Sequence, residues 1–386
     1  MADSPHPENS TKPGESVDDG KGHIFPCEQC GADLEFHIGQ QSLKCPFCGH
    51  TKQIELAADA DIAEQDFYAI LEKVREWRSK SVNHTTDGQS EVRCVGCGSN
   101  VVFIGSLTSS ECPYCGSPIQ LDKVHDSPKR IPVHGVLSFH IEKEKARQNL
   151  TAWVKSRWFA PSEFALRGVE GRFNGVYLPF WTYDSMTFSR YWGERGDHYY
   201  VTVTENNQTR QERRTRWSSV SGSHQRFFDD VLILGAKGMR RDMMESLEPW
   251  PLEKIQPFTQ EILAGFLART YEVELDEGFP LAKKIMDSGI ASDVRSLIGG
   301  DEQRVSEIKT RYDALTFKHL LLPVWLLAYR YHNKSYQIFI NAVTGEVQGE
   351  RPYSFWKIFL AIMIVLGIIA AVAAVGGIGN AVQHAR

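Results

Sequence analysis

The chain has 386 residues, a formal net charge of −5 and 42% hydrophobic residues. This length leaves room for roughly two to four domains. The acidic charge balance excludes a global electrostatic attraction to nucleic acid or to anionic lipid. Residues 1–22 are rich in Pro, Gly, Ser and Asp and nearly lack apolar residues, so we expect a disordered N-terminal tail.

All eight cysteines fall into four CxxC pairs, and the second half of the pattern repeats the first 67 positions later. Each half reads CxxC, fourteen residues and CxxC. This spacing predicts two zinc ribbons, over residues 23–52 and 91–120. The expected ligands of the two zinc ions are Cys27, Cys30, Cys45, Cys48, Cys94, Cys97, Cys112 and Cys115. Because four thiolates close a tetrahedral shell, both sites are expected to be structural.

Two other uses of these cysteines stay open. Four disulfides would also consume all eight, although a disulfide framework gives no reason for the repeated CPxCG turn. His23, His37 and His50 lie near the first ribbon and could replace a ligand, although four cysteines are already available. Reduced thiolates, with no N-terminal signal peptide, favour the cytosol for this part of the chain.

Between the ribbons, residues 53–90 predict an amphipathic helix followed by a polar linker. We expect its apolar face to pack on a neighbouring ribbon. The alternative is a helix lying on a membrane surface, but its polar face is acid-rich rather than basic.

Residues 121–352 predict a mixed α/β domain. Helices are expected at 142–158, 260–271, 278–288 and 291–297. Strands are expected at 175–183, 199–204, 210–219, 227–234 and in 320–347. The LPFW motif at 178–181 resembles LPVW at 322–325, so the domain could be internally duplicated.

The C-terminal segment 358–375 contains no charged or polar residue. It predicts a single transmembrane helix within a tail anchor over 353–386, with Tyr353, Phe355 and Trp356 at the membrane interface. A buried core helix is the alternative. The sequence therefore predicts a single-pass protein of the cell inner membrane with its N-terminal bulk in the cytoplasm. Small residues in the span could also support a homo-oligomer.

A search for catalytic motifs finds no phosphate-binding loop and no GxSxG, HExxH or GxGxxG in its required context, so we expect no enzyme. The cluster around Gly299–Asp301 reads as a loop, and Asp229 with Asp230 could bind a cation. The run Arg210, Arg213, Arg214 and Arg216 with Trp217 could contact phosphate or a base, or could be a solvated strand face. The many aromatic residues of 181–200 could form a binding face or a core.

Seven stretches carry a resemblance over nearly the whole chain: RWFAPSEF (157–164), YLPFWTYD (177–184), DDVLILGAKG (229–238), LEPWPLEKIQPF (247–258), IGGDEQRVSEIKTRY (298–312), TFKHLLLPVWLLAYRY (316–331) and TGEVQGERPYSFWKI (344–358). With the two ribbons, their order resembles a bacterial family of membrane-anchored proteins with two TFIIB-type zinc ribbons, often labelled primosomal protein N′ or helicase-like. The resemblance implies a cytosolic body at the inner membrane and a link to SPFH-type scaffold or membrane-stress proteins. The missing nucleotide-binding loop departs from any helicase.

Together these patterns predict an α+β fold class: two four-cysteine ribbons, a mixed α/β domain and one C-terminal transmembrane helix. The function they favour is a non-enzymatic, tail-anchored adaptor that recruits a cytosolic or peripheral membrane protein. The alternative is a nucleic-acid-binding zinc-ribbon protein linked to replication or transcription, although neither ribbon is basic.

Overall fold

The computed structural model describes residues 16–18, 22–54, 62–80, 89–93, 100–104, 109–111, 118–120, 125–126, 130–160, 172–205, 208–331, 334–351 and 353–383. All four cysteines of the second predicted ribbon lie outside these ranges. The two-zinc prediction therefore has a described geometry only for the first ribbon.

The N-terminal region forms a five-stranded antiparallel sheet in the order β1-β2-β3-β4-β5. Its strands are β1 (Ser16–Asp18), β2 (Gly22–Pro26), β3 (Asp33–His37), β4 (Ser42–Lys44) and β5 (Thr51–Lys52). Strand β1 lies inside the segment for which the composition predicts disorder. The alternating exposure of β3, with Leu34 and Phe36 buried, directs one face of this sheet into the protein.

The helix predicted between the ribbons begins later than expected and packs elsewhere. After β6 (Gln65–Asp66), α1 runs over Phe67–Lys80. Its buried residues Phe67 and Val74 belong to a core cluster with Tyr183 of the main sheet, not with the first ribbon. The described part of the helix therefore packs on the main sheet rather than on the first ribbon.

The second ribbon region contributes short strands that pair only with one another in the described residues. They are β7 (Gln89–Arg93), β8 (Asn100–Ile104), β9 (Ser109–Glu111), β10 (Pro118–Gln120) and β11 (His125–Asp126). Strand β7 lies between β8 and β11, and β9 pairs with β10.

The rest of the chain is built around a nine-stranded sheet. Besides β6, its strands are β12 (Gly135–Val136), β13 (Arg172–Glu205), β14 (Gln208–Leu234), β15 (Gln256–Pro257), β16 (Leu267–Ala268), β17 (Glu302–Tyr331), β18 (Lys334–Asn341) and β19 (Val347–Gly349). The antiparallel trio β14-β13-β17 dominates it, with 27, 34 and 30 residues.

Two interruptions shape the long strands. Strand β14 has one extra residue opposite Asp184, and β17 has one opposite Ser185. The pairing register therefore shifts between Tyr183 and Ser185 on the β14 side and between Asp184 and Met186 on the β17 side. Asp230 and Ala314 have positive φ angles of 51° and 49° at these bulges. Such paired bulges bend a sheet and increase its twist. We call the part of the trio beyond them, from Ser185 outward, the arm.

Besides α1, the described part of the chain contains four helices. They are α2 (Lys143–Lys155), α3 (Arg241–Glu245), α4 (Leu275–Ile298) and α5 (Phe355–Gln383), with 3-10 turns at Leu252–Lys254 and Gln260–Leu263. A capping box between Glu274 and Glu277 starts α4, and Gly299 at φ 65° ends it. Glycine tolerates this φ because it has no Cβ.

Three core clusters cover the sheet. The first joins the first ribbon and α2 to Phe139 and Tyr177, and the second joins the α3 region to Leu178. The third packs α1 and α4 against Trp181 and Tyr183. One face of β13 therefore contacts the ribbon and the long helix in succession, while the other face is covered only near the α3 region.

The predicted α+β fold class, with its mixed α/β domain, is wrong, because the described residues are dominated by β-sheet. The expected helix at 260–271 is a 3-10 turn followed by β16, and the helices expected at 278–288 and 291–297 are the single helix α4. Residues 185–198 and 302–319, for which no strand is expected from the sequence, lie in the long strands β13 and β17. Partner strands and bulges decide these segments more strongly than local residue preference.

The predicted transmembrane anchor, and with it the inner-membrane localisation, is also corrected. Among the helices in the described part of the chain, none is both long enough and apolar enough to span a bilayer.

Candidate metal centre

Two tight turns bring four cysteine thiols together. Cys27 begins the first turn, where the Gly31 N–H donates to the Cys27 carbonyl at 2.8 Å. The second turn repeats this geometry, with the Gly49 N–H 3.0 Å from the Cys45 carbonyl. Gly31 and Gly49 have φ angles of 74° and 76°, which only glycine adopts at little cost. The recurring glycine of the CxxCG sequence therefore has a backbone reason.

The four sulfur atoms form a compact cluster. The Sγ atoms of Cys27 and Cys48 are 3.5 Å apart, as are those of Cys30 and Cys45. Ligand atoms of all four residues lie within 4.8 Å of one another. Zn–S bonds of about 2.3 Å in a tetrahedron place sulfur atoms about 3.8 Å apart. The cluster could therefore hold a metal ion, and its size and donor set fit zinc.

The two pairs differ in burial and in electrostatics. Cys27 and Cys45 are buried, whereas Cys30 and Cys48 are exposed. Backbone N–H groups of the second turn, above all that of Cys48, lower the pKa of Cys45 to about 6, whereas burial and the neighbouring thiols raise the pKa of Cys48 to about 12. A lowered thiol pKa favours the thiolate, which is the form that binds metal.

His37 and His50 are not part of the four-cysteine cluster. His37 Nδ1 accepts the backbone N–H of Gln40 at 3.2 Å, and the His50 carbonyl accepts the N–H of Cys45 at 2.8 Å. Both residues therefore serve the ribbon backbone. Lys52 pairs with Glu28 at 3.3 Å, so this ribbon also presents little unbalanced positive charge.

The ribbon is packed into the body of the protein. Phe36 lies against Phe266, with ring centroids 6.3 Å apart, and its backbone N–H donates to the Ala264 carbonyl at 3.1 Å. Gln41 donates to the Phe139 carbonyl at 2.9 Å. Buried Cys27 and Cys45 belong to the same core cluster as Phe139. Sequence spacing located the thiols but could not reveal this shared core.

A second cluster combines carboxylates. Oxygen atoms of Glu64, Asp184 and Asp229 lie within 4.8 Å of one another. Lys318 already supplies a cation there, 2.8 Å from Asp230 and 3.7 Å from Glu64. Burial raises the pKa of Asp184 to about 6. The predicted Asp229–Asp230 pair thus lies in a cluster of four carboxyl groups beside Lys318 at the double bulge.

The arm has one covered and one open face. Helix α4 covers the side of Tyr191, and the opposite side, which we call the open face, is lined by alternate residues of three strands. They are Met186, Phe188, Arg190 and Trp192 of β13, Ser219, Ser221, Ser223, Gln225 and Phe227 of β14, and Glu307, Lys309, Arg311 and Asp313 of β17. Trp192 and Phe227 are 40% and 53% exposed. The predicted aromatic cluster is therefore divided between core and surface.

The arginine run predicted as a candidate phosphate contact lies farther out on the arm. Arg216 lies over the Tyr199 ring at 5.3 Å, and Arg304 lies over Trp217 at 3.8 Å. Asp301, in the loop after α4, accepts the His198 backbone N–H at 2.6 Å. Through this hydrogen bond, the Gly299–Asp301 loop connects the start of β17 to β13.

Comparisons with known proteins add one relative. The uncharacterized protein YdjG of Bacillus subtilis (strain 168) is 25% identical over 345 residues, which cover 86% of this chain and 91% of YdjG. No protein-family model and no solved structure matches the chain.

Proposed function

We propose that the protein is a non-enzymatic adaptor whose zinc-stabilised body holds the arm as a binding surface for another protein. The observation that carries this proposal is the open face. Exposed Trp192 and Phe227 lie on it among charged side chains, and exposed aromatic residues are enriched at protein interfaces.

The metal site supports the adaptor as a structural element. Four thiolates leave no ligand position for substrate or water, and two of them lie in the body's core. We propose that zinc binds here and that a second zinc binds Cys94, Cys97, Cys112 and Cys115. In this role the metal contributes folding free energy to the protein.

The charge pattern of the open face favours protein over nucleic acid. Lys309 pairs with Glu307 at 3.2 Å and Arg311 pairs with Asp313 at 2.7 Å. These carboxylates would repel a phosphate backbone, whereas a protein surface of mixed charge can match them. The family resemblance makes SPFH-type scaffold and membrane-stress proteins the first partners to test.

A photo-crosslinking amino acid placed at Trp192 in the full chain tests this function in cells. The same amino acid at Ile285, which is 41% exposed on α4, is the matched control. We expect Trp192 to yield a discrete adduct that Ile285 does not. The partner is then identified and purified, and its binding should weaken with Phe227→Ser. No specific adduct, or equal adducts at both positions, would contradict the adaptor.

Nucleic-acid binding is kept as a second candidate because of the outer arm, where Arg216 and Arg304 lie over aromatic rings. Arginine beside exposed aromatic rings can contact phosphate and stack with bases. Anisotropy titrations with single-stranded oligonucleotides at several salt concentrations measure this. A steep fall of affinity with salt, abolished by Arg216→Ala, would favour this candidate.

A further inference from the structure

The outer edge of β14 is unpaired within the described part of the chain. Strand β14 is the terminal strand of the main sheet, and β13 pairs with it along the entire arm. An unpaired edge presents rows of backbone N–H and C=O groups to which another extended chain can add.

The hairpin register shows which backbone groups point outward. Glu205 and Gln208 pair across a two-residue connection, which makes them a hydrogen-bonded pair. Such pairs alternate with non-hydrogen-bonded ones, and the register is unbroken to Phe228. Even-numbered residues of β14 therefore bond to β13. The backbone groups of Ser219, Ser221, Ser223 and Gln225 face the free edge.

These same residues carry small or neutral side chains on the open face. Natural edge strands are usually protected by charges, prolines or bulges. From Ser219 to Phe227 the open-face side of β14 has none of these. On the opposite side of β14, His224 and Arg226 both contact Asp293, at 3.0 and 2.9 Å.

One cation beside this edge has no described partner. Arg190 is exposed and lies opposite Ser223 on β14 and Lys309 on β17. Lys309 and Arg311 are paired with carboxylates, but no ion pair or hydrogen bond of the Arg190 side chain is found among the described residues. Ser223 lies between Arg190 and the free edge, and its small side chain leaves the guanidinium room to reach a group bound at that edge.

We propose that the β14 edge from Ser219 to Phe227 binds an extended acidic segment of a partner protein as an added strand. Backbone hydrogen bonds hold the segment, and a carboxylate on its open-face side pairs with Arg190. This inference rests on the proposed adaptor function and names the chemistry of its partner. A second copy of this strand is a poorer occupant, because the open-face side of Ser219–Phe227 offers no carboxylate to Arg190.

Two labelled nine-residue peptides test the inference with the full chain by fluorescence anisotropy. One alternates valine and glutamate, and the other alternates valine and lysine. We expect the acidic peptide to bind at least about tenfold more tightly than the basic one. Arg190→Glu should reverse this preference, whereas Lys284→Glu, an equal charge change on exposed α4, should not.

A second pair of variants tests the backbone contribution. Ser223→Pro removes one outward N–H and should weaken acidic-peptide binding by about tenfold, whereas Ser223→Thr keeps that N–H and should bind like the wild type. Circular dichroism checks that both variants are folded. If proline disrupts the fold, hydrogen exchange of the wild-type protein replaces this comparison. Binding of the acidic peptide should then protect the backbone amides of Ser221 and Ser223 from exchange.

Equal binding of both peptides, no binding of either, or no effect of Arg190→Glu would overturn the inference. So would tighter binding of a single-stranded oligonucleotide that Arg190→Glu abolishes, or concentration-dependent self-association that Ser223→Pro abolishes. A purified partner that crosslinks at Trp192 but binds Arg190→Glu and Ser223→Pro normally would overturn the edge site alone and leave the adaptor function intact.

Discussion

The ring of Phe36, in the four-cysteine ribbon, lies 6.3 Å from the ring of Phe266, in the body. Phe266 in turn stacks on Phe139 with ring centroids 4.0 Å apart. The ribbon and the main sheet therefore share one continuous aromatic core. Because of this packing, loss of the ribbon's structure should destabilise the body as well.

Phe36→Ala tests that coupling. Removing a buried phenylalanine side chain typically costs about 3–5 kcal/mol of unfolding free energy. We expect a loss of this size in denaturant unfolding monitored by tryptophan fluorescence. The matched control is Phe47→Ala in the same ribbon, where the ring is 81% exposed and the change should be within about 0.5 kcal/mol. Equal effects of both variants would contradict the shared core.

Metal analysis of the purified protein should find about two zinc ions per chain. Cys45→Ser and Cys112→Ser should each remove about one, because three thiolates hold zinc less firmly than four. Cys45→Ser should also lower the unfolding temperature of the body, since Cys45 lies in its core cluster. A single zinc in the wild-type protein, or iron in its place, would disprove the two-zinc prediction.

A buried ion pair lies beside the main sheet, where it connects the segment 269–272 to the segment around Lys237. Arg269 and Glu272 are 1% and 6% exposed and lie 2.8 Å apart, and Glu272 also accepts the Lys237 backbone N–H at 2.7 Å. Arg269→Met leaves the buried carboxylate without its cation and should cost about 3–5 kcal/mol. An exposed pair provides the control: Arg147→Met beside Glu144 should change stability by less than about 1 kcal/mol.

Asp184 should make stability depend on pH. Burial raises its pKa to about 6 from 3.8, so the folded state binds more protons than the unfolded state between these values. Stability from this group is therefore highest at low pH and falls as the pH rises through about 6. Asp184→Asn should remove this decline. The unfolding free energy of the variant minus that of the wild type should therefore be about 1–3 kcal/mol larger at pH 7.5 than at pH 4.5. Parallel curves for both proteins would refute the assignment.

The long strands show where sequence patterns fail. Val305 and Ile308 are three positions apart, which breaks the period of two expected for a strand. The register jumps between Trp192 and Gly193 opposite them, with Trp192 paired to Glu307 and Gly193 to Val305. This bulge lets Val305 and Ile308 pack against the same cluster that contains α4. No local pattern reveals such a bulge, because it depends on the neighbouring strand.

Repeated motifs show the same limit. The similar LPFW and LPVW sequences suggested duplication, and the structure places them on adjacent antiparallel strands with Leu178 directly opposite Leu322. Their tryptophans nevertheless enter different clusters, Trp181 beside α4 and Trp325 beside the ribbon. The motif predicted two strands but not their pairing or the partners of their side chains.

The sequence by itself determined the four-cysteine cluster that could hold a metal ion, because CxxC spacing and the following glycine act within a single turn of chain. It also determined α2, whose buried residues Ala146, Leu150 and Val154 recur at helical intervals. Only the tertiary structure decided the β-rich fold, the packing of the ribbon into the body and the exposure of the β14 edge. These features depend on pairs of residues far apart in sequence, whose contacts form only when long strands find their register.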